Sequence, residues 1–410
     1  MQTPDFGEDY RRWVADHAGD DPDRLRLSCH GDPRPWIPYA ITHIAALKRA
    51  SKKFQTSSGE SFVPGVIASE IALQQSTSAD IALLHASILQ RHIAPGSPVL
   101  DMTCGLGTDT RALSRVFEVT ACELNPLHAA MARENFRDNP NVTIVGGDSV
   151  AFLESAGRDR FKAIFIDPAR RDSLGRRVYG ISDCVPDVVE IWPLLRLTGA
   201  VVMCKFSPML DISQTLTELP EVSEIHIIGD GRECKELVTV YDPAVPVQER
   251  GNVPVFLWPT PDSCAMRYTL AEEAAAVPLP AAVPAAGDTL WIPGAVAMKG
   301  GCFNLISSAC NISPLAPNTH LYVSYVSASA ESSSFPGHGE KIIDVIPWKS
   351  SELKKLKKQK SDASARVRNF GMTARQLADK LCLREKTDRT MITGVTLADN
   401  SRILIVSTRE

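Results

Sequence analysis

The stretch Pro98–Asp109, P-V-L-D-M-T-C-G-L-G-T-D, leaves the chain few conformational choices. Val99, Leu100 and Asp101 read as the end of a buried strand, Gly105 and Gly107 as a tight turn, and Thr108 to Val116 as a helix. Glycine suits such a turn because a side chain would keep a ligand from touching the backbone. The helix start beyond it offers unpaired N–H groups and a positive dipole end. A strand–G-x-G–helix unit also occurs in nicotinamide and flavin enzymes. Here Asp109 and Thr110 follow Gly107 without a third glycine, which disfavours a pyrophosphate-binding turn.

From Pro98 onward strand and helix alternate. Strands are expected at Glu118–Glu123, Val142–Val145, Ala163–Ile166, Ala200–Lys205, Ile225–Ile228 and Leu237–Tyr241. Helices are expected at Pro126–Asp138, Val150–Ser155, Val185–Leu195 and Ile212–Leu219. Near-continuous apolar strands in βαβ order predict an α/β fold, a Rossmann-like doubly wound sheet of seven strands. Only Gly229–Glu236 separates the final two strands, too little for a helical crossover, so the last strand should run antiparallel.

With 410 residues the chain exceeds one ordinary core. The reading divides it into an N-terminal helical region (1–95), the Rossmann-like domain (96–245) and a Pro/Ala-rich connector (246–290). A small mixed unit (291–326) and a compact C-terminal α/β module (327–410) follow. In the first region, Asp9–His17, Ile37–Phe54 and Ala79–His92 carry helical spacing. Between the last two, Gln74–Ser78 reads as a polar loop and cap, or as a flap. No basic and apolar leader opens the sequence and no apolar run reaches spanning length, so a cytoplasmic protein without a membrane partner is expected. Its ten cysteines include no C-x-x-C pair, which argues for buried thiols and against a metal site.

The net charge of −4 conceals an asymmetry: residues 340–410 hold 16 Lys/Arg against 9 Asp/Glu. A basic tail on an acidic body points to a nucleic-acid partner, against the plainer reading of a solvated helix face. Few aromatics interleave the basic residues, so a stacking platform for single strands is not indicated.

Acidic side chains close four successive strands: Asp101, Glu123, Asp148 and Asp167. In doubly wound sheets ligands bind beyond the carboxyl ends of the strands, so these groups should converge on one crevice. Any one of them could simply cap the next helix; four in succession after a G-x-G turn favour a site. Glu123 can accept both hydroxyls of a ribose, and Asp148 can accept from an adenine amino group. Asp167 opens Asp167-Pro168-Ala169-Arg170-Arg171, where Pro168 holds the backbone extended.

On these residues, over about Val99–Tyr241, the sequence resembles class I S-adenosylmethionine-dependent methyltransferases. Gln75-Ser76-Thr77-Ser78, Cys204–Pro208, Gly300–Asn304 and Arg366–Phe370 extend the likeness to bacterial methyltransferases with a small ferredoxin-like unit and a THUMP-like C-terminal domain. The resemblance implies that S-adenosylmethionine lies in the Gly105/Gly107 crevice. Asp101 and the glycine turn, with Asp109, would hold its methionine end, Glu123 the ribose, Asp148 and Ser149 the adenine. Gln75 and Ser76 would line the flap. Asp167-Pro168-Ala169-Arg170 lacks the second proline and the aromatic of base-amino methyltransferases, and is closer to the motif of RNA uracil-C5 enzymes. That likeness makes Cys204 a candidate nucleophile, against its plainer reading as packing. Arg170 is a candidate phosphate clamp. The expected activity is methylation of a base in tRNA or rRNA, with RNA delivered by the tail. Alternatives are a protein or small-molecule methyltransferase, or a non-catalytic protein that binds S-adenosylmethionine and RNA.

Overall fold

The computed structural model describes residues 4–50, 53–66, 72–73, 76–170, 180–325, 335–359, 362–384 and 389–409. Two compact units result: Met1–Ile225 with Glu236–Gln248, and His226–Lys235 with Glu249–Glu410.

The first unit begins with helices α1 (Glu8–Asp16), α2 (Pro22–Ser28), α3 (Ile37–Ala50) and α4 (Ala79–Leu89). Tyr10, Trp13, Trp36, Ile41 and Ile44 bury one face of this layer, and Met131, from a helix of the Rossmann-like part, joins the same core. The N-terminal helical layer is therefore packed with the domain that follows. Helix α2 was not expected: it is short and polar and buries only Leu25, so no apolar stripe announces it. Pro22 at its first turn and the Asp21 carboxylate, which accepts from the Asp23 and Arg24 N–H groups, start it instead.

The sheet strands are β1 (Pro98–Asp101), β2 (Glu118–Glu123), β3 (Val142–Gly146), β4 (Ala163–Ile166), β5 (Val201–Phe206), β6 (Glu224–Gly229) and β7 (Cys234–Tyr241). β1 pairs in parallel with β2 and β4, β2 with β3, and β4 with β5. β7 runs antiparallel to β5, from Val202 opposite Tyr241 to Phe206 opposite Leu237. The Ser223 N–H donates to the Val240 carbonyl and so seats the start of β6. Helices α5 (Thr108–Leu113), α6 (Pro126–Phe136), α7 (Ser149–Ala156), α8 (Val188–Leu197) and α9 (Ile212–Glu218) form the crossovers. Asn125, Asp148, Asp187 and Asp211 cap the last four, each accepting backbone N–H bonds from the first turn.

In the second unit, residues 246–290 are more than a connector. β8 (Pro254–Trp258) pairs antiparallel with β9 (Met266–Thr269), and α10 (Leu270–Ala275) starts from a Thr269/Glu272 capping box. The prolines that suggested a linker lie at strand ends and turns, where a missing N–H costs nothing. Next come β10 (Thr289–Pro293), α11 (Ala295–Gly300), α12 (Phe303–Ala309), β11 (Ser313–Pro314) and β12 (Tyr322–Ser324). The chain ends with β13 (Gly337–Pro347), α13 (Ser350–Gln359), β14 (Ser364–Arg368), α14 (Ala374–Leu381), β15 (Thr390–Thr396) and β16 (Arg402–Thr408). These strands form one seven-stranded sheet, β11-β12-β10-β13-β16-β15-β14. The expected units 291–326 and 327–410 therefore share a sheet through the β10–β13 ladder. The Gly300-Gly301 pair is a corner: Gly301 caps α11 at φ +71°, and a Cβ on Gly300 would lie 2.8 Å from the Leu257 side chain.

The two glycines of the first turn differ. Gly107 lies at φ +82°, and a Cβ there would meet the Phe136 ring at 2.4 Å. Gly105 also has a positive φ, +55°, but its nearest obstacle is 4.0 Å away. Gly107→Ala should therefore cost about 2–4 kcal/mol of stability and Gly105→Ala only about 1. Urea unfolding of both variants measures this, and equal losses would contradict it.

Candidate active site

Asp101 ends β1 and is buried. Its Oδ1 accepts from the Thr103 N–H at 2.9 Å and its Oδ2 from the Thr110 hydroxyl at 2.6 Å. Burial pushes its carboxyl up to about 7. Asp101 is thus a brace between strand and α5, which corrects the expectation that it holds a ligand directly. The Thr103 hydroxyl in turn accepts from the Asp167 N–H at 2.7 Å, tying the ends of β1 and β4 together.

Asp109 is also buried. One oxygen accepts from the Thr77 hydroxyl at 2.6 Å, and the other lies 2.7 Å from His85 Nδ1. His85, fully buried on α4, has its Nε2 at 2.5 Å from Glu236 Oε1 on β7. Lys205 on β5 reaches Asp167 Oδ2 at 2.6 Å, the Thr77 hydroxyl at 3.0 Å and Glu236 Oε2 at 3.8 Å. Asp109, His85, Glu236 and Lys205 form a ring closed by the Thr77 hydroxyl, Asp167 joins it through Lys205, and Asp109 belongs to it as a structural partner. Burial alone would leave His85 neutral, but Glu236 and Asp109 push the imidazole up to about 10, so both ring N–H groups donate. Lys205 is likewise raised: burial opposes its charge, and Asp167, Glu236 and Asp109 outweigh that.

The sequence reading missed His85, Glu236, and Thr77's part in the ring. The available signal was a histidine amid the apolar residues of A-D-I-A-L-L-H-A-S-I-L and a glutamate entering the buried part of β7.

Glu123 closes β2 with Oε2 accepting from the Gly105 N–H at 3.1 Å and Oε1 from the Asn125 N–H at 2.9 Å. The next residue, Leu124, is 63% exposed, an apolar surface beside a carboxylate that the sequence did not single out. Asp148 is exposed and caps α7 through one oxygen on the Val150 N–H, and Ser149 is buried behind it. The Ser76 hydroxyl is spent locally on the Leu73 carbonyl. Gln75 lies outside the described residues.

At the end of β4, Asp167 keeps a third of its side chain exposed (34%) while Lys205 holds one oxygen. Pro168 is buried behind it. Arg170 pairs through its backbone with Cys184 in a two-residue bridge. Cys204 is fully buried, and burial pushes its thiol up. As neighbours on β5, Cys204 and Lys205 face opposite sides of the sheet. A nucleophile must meet its substrate as an accessible thiolate, so the nucleophile expectation for Cys204 is corrected to packing.

A family profile described as a ferredoxin-like domain matches residues 290–330. No curated protein matches the sequence. Among solved structures, a candidate methyltransferase from Porphyromonas gingivalis W83 is 28% identical over 98% of this chain and 97% of its own, with a TM-score of 0.82. A candidate rRNA methylase from Clostridium thermocellum is 13% identical, over 38% of this chain and 93% of its own, with a TM-score of 0.30. A candidate methyltransferase from Streptococcus mutans, solved in complex with SAH, is 15% identical over 38% and 94%, with a TM-score of 0.29. The first of these shares its fold over nearly the whole chain.

The ring sets a pH dependence. His85 binds its proton more tightly folded than unfolded, so its contribution is complete below pH of about 6.5 and is lost as pH rises towards about 10. The window of Asp101 closes at about 7 and does not overlap the upper range. Unfolding free energy measured from pH 7 to 10 should fall in the wild type, with His85 supplying up to about 1.4 kcal/mol per unit of the slope and the raised His92 and buried thiols the remainder. The slope should flatten in His85→Gln, and equal slopes would contradict the assignment.

Proposed function

We propose that the chain is an S-adenosylmethionine-dependent methyltransferase acting on a base in tRNA or rRNA, the reading that the carboxyl edge of β1–β2–β4 supports best. The full-length likeness to a candidate methyltransferase supports the activity. The observation that carries it is Glu123: each carboxylate oxygen accepts one backbone N–H and keeps a lone pair free. That is the acceptor pair a ribose diol requires. Exposed Leu124 supplies an apolar surface for adenine, and the second oxygen of Asp148, without a partner among the described residues, can accept from its amino group. The residues present fit the cofactor.

When bound, S-adenosylmethionine supplies an electrophilic methyl group. The protein's part is to position the acceptor. Burial pushes the Asp167 carboxyl up and Lys205, bound to Oδ2, counters that push, while Asp167 Oδ1 has no partner among the described residues. We assign Oδ1 to accept a hydrogen bond from the acceptor group and aim it at the methyl. Buried Pro168 fixes the backbone that carries this carboxylate. Cys204 takes no part, so no covalent adduct with a pyrimidine is involved.

The RNA substrate rests on the charge of the second unit. Its last 71 residues hold a surplus of seven cations, and α13 presents Lys354, Lys355, Lys357 and Lys358 to solvent. In this reading β13–β16 with α13 and α14 is a THUMP-like module that grips RNA backbone and shape. Among the described residues no helix is long and apolar enough to cross a membrane.

Labelled methyl transfer into total RNA from a deletion strain tests the proposal. Wild-type protein should label RNA, Asp167→Asn should lower the rate roughly ten- to hundredfold, and Cys204→Ala should stay within about twofold. Labelling of protein or metabolites instead of RNA would overturn the substrate class.

A further inference from the structure

Lys205 stands between two carboxylates. Its ammonium donates to Asp167 Oδ2 at 2.6 Å, while Glu236 Oε2 lies 3.8 Å away, close enough to attract the charge but beyond hydrogen-bond length. A lysine head is a point charge on a flexible four-carbon stem, so the side chain itself does not choose between them. A third contact does: Lys205 Nζ also donates to the Thr77 hydroxyl at 3.0 Å.

That hydroxyl is held in turn. Thr77 is buried just ahead of α4, and its O–H donates to Asp109 Oδ2 at 2.6 Å. With its one hydrogen committed, the oxygen has only lone pairs to offer. It is therefore an acceptor fixed in place by Asp109, on the helix that follows the glycine turn. Being neutral, it steers Lys205 without adding a charge. Without it, the ammonium loses one of its anchors and is free to move from Asp167 towards Glu236.

We propose that Thr77 is a positioning residue for methyl transfer: its hydroxyl keeps Lys205 on Asp167 Oδ2 and so leaves Oδ1 to the acceptor group. The inference rests on the reading above, in which Asp167 touches the acceptor, and adds a residue that acts only through Lys205. It gives the polar segment before α4 a part other than cap or flap. A pH dependence follows. Asp167 is faced by Lys205 from β5, Asp109 from α5, Glu236 from β7 and Asp101 from β1. Burial pushes its carboxyl up and Lys205 opposes that push. Once Lys205 withdraws, the carboxyl takes up its proton at higher pH, and the acid limb of the rate moves up with it.

Initial rates of labelled methyl transfer into total RNA from a deletion strain, with the full chain and over a pH series, test this. Thr77→Val should lower kcat roughly tenfold, while KM for RNA and affinity for S-adenosylhomocysteine hold within about twofold. Its acid limb should sit at higher pH than that of the wild type. Thr77→Ser keeps the hydroxyl and should recover most of the loss. In an Asp167→Asn background Thr77→Val should cost nothing further, because its effect passes through that carboxylate. Thr77→Cys, a weaker hydrogen-bonding group in the same place, carries the comparison if the valine variant does not fold. Active wild-type protein with unchanged kcat in Thr77→Val, or with the same loss in both backgrounds, overturns the inference and leaves the methyltransferase reading standing. Wild-type protein that transfers no methyl group to RNA overturns the reading on which the inference rests, and the inference with it.

Discussion

The first unit depends on a buried ring of charge. Asp109, His85, Glu236, Lys205 and Asp167 come from α5, α4, β7, β5 and the end of β4, joined by contacts of 2.5–3.8 Å. Charges so placed are stable only when each faces an opposite one, because removing either partner strands the other in a poor dielectric. Three carboxylates face two cations, and Asp167 is the carboxylate with the most exposed surface. The ring thus fixes α4 to the sheet and leaves a partly exposed carboxylate, Asp167, at the strand ends. A second histidine repeats the device: His92 lies 2.7 Å from Glu224 and 2.8 Å from Asp242. α4 and the turn after it are therefore held to the sheet at two levels.

This arrangement sorts the acidic residues by role. Asp101 and Asp109 have both oxygens engaged and are buried, so they shape the crevice without meeting a ligand. Glu123, Asp148 and Asp167 keep accessible acceptor capacity at the same edge. The glycine turn divides similarly. Gly107 is demanded by the Phe136 ring, whereas Gly105 is open and donates its N–H to Glu123. Buried and open positions alternate within this short stretch, and residue type alone does not separate them.

The sheet was legible because its strands are mostly apolar and its helices begin at Asn125, Asp148, Asp187 and Asp211, strong local signals. The antiparallel β7 followed from the short span after β6. What stayed hidden depended on contacts distant in sequence. His85 and Glu236 are 151 positions apart, and nothing local in either marks the other. Cys204 looked available because a strand of alternating neighbours does not reveal which side is closed. The shared sheet of β10–β16 was obscured by the boundary drawn between 326 and 327, although β13 pairs with β10 across it. Proline content misled at 246–290, where β8 and β9 tolerate prolines at their ends.

The account stands or falls on whether the crevice beside Gly105 and Glu123 holds an adenosyl group. Calorimetric titration with S-adenosylhomocysteine tests that without requiring the RNA. One site per chain, weakened roughly tenfold or more in Glu123→Ala while the protein remains folded, is the predicted result. No heat of binding and no thermal stabilisation of the wild-type protein would contradict the account.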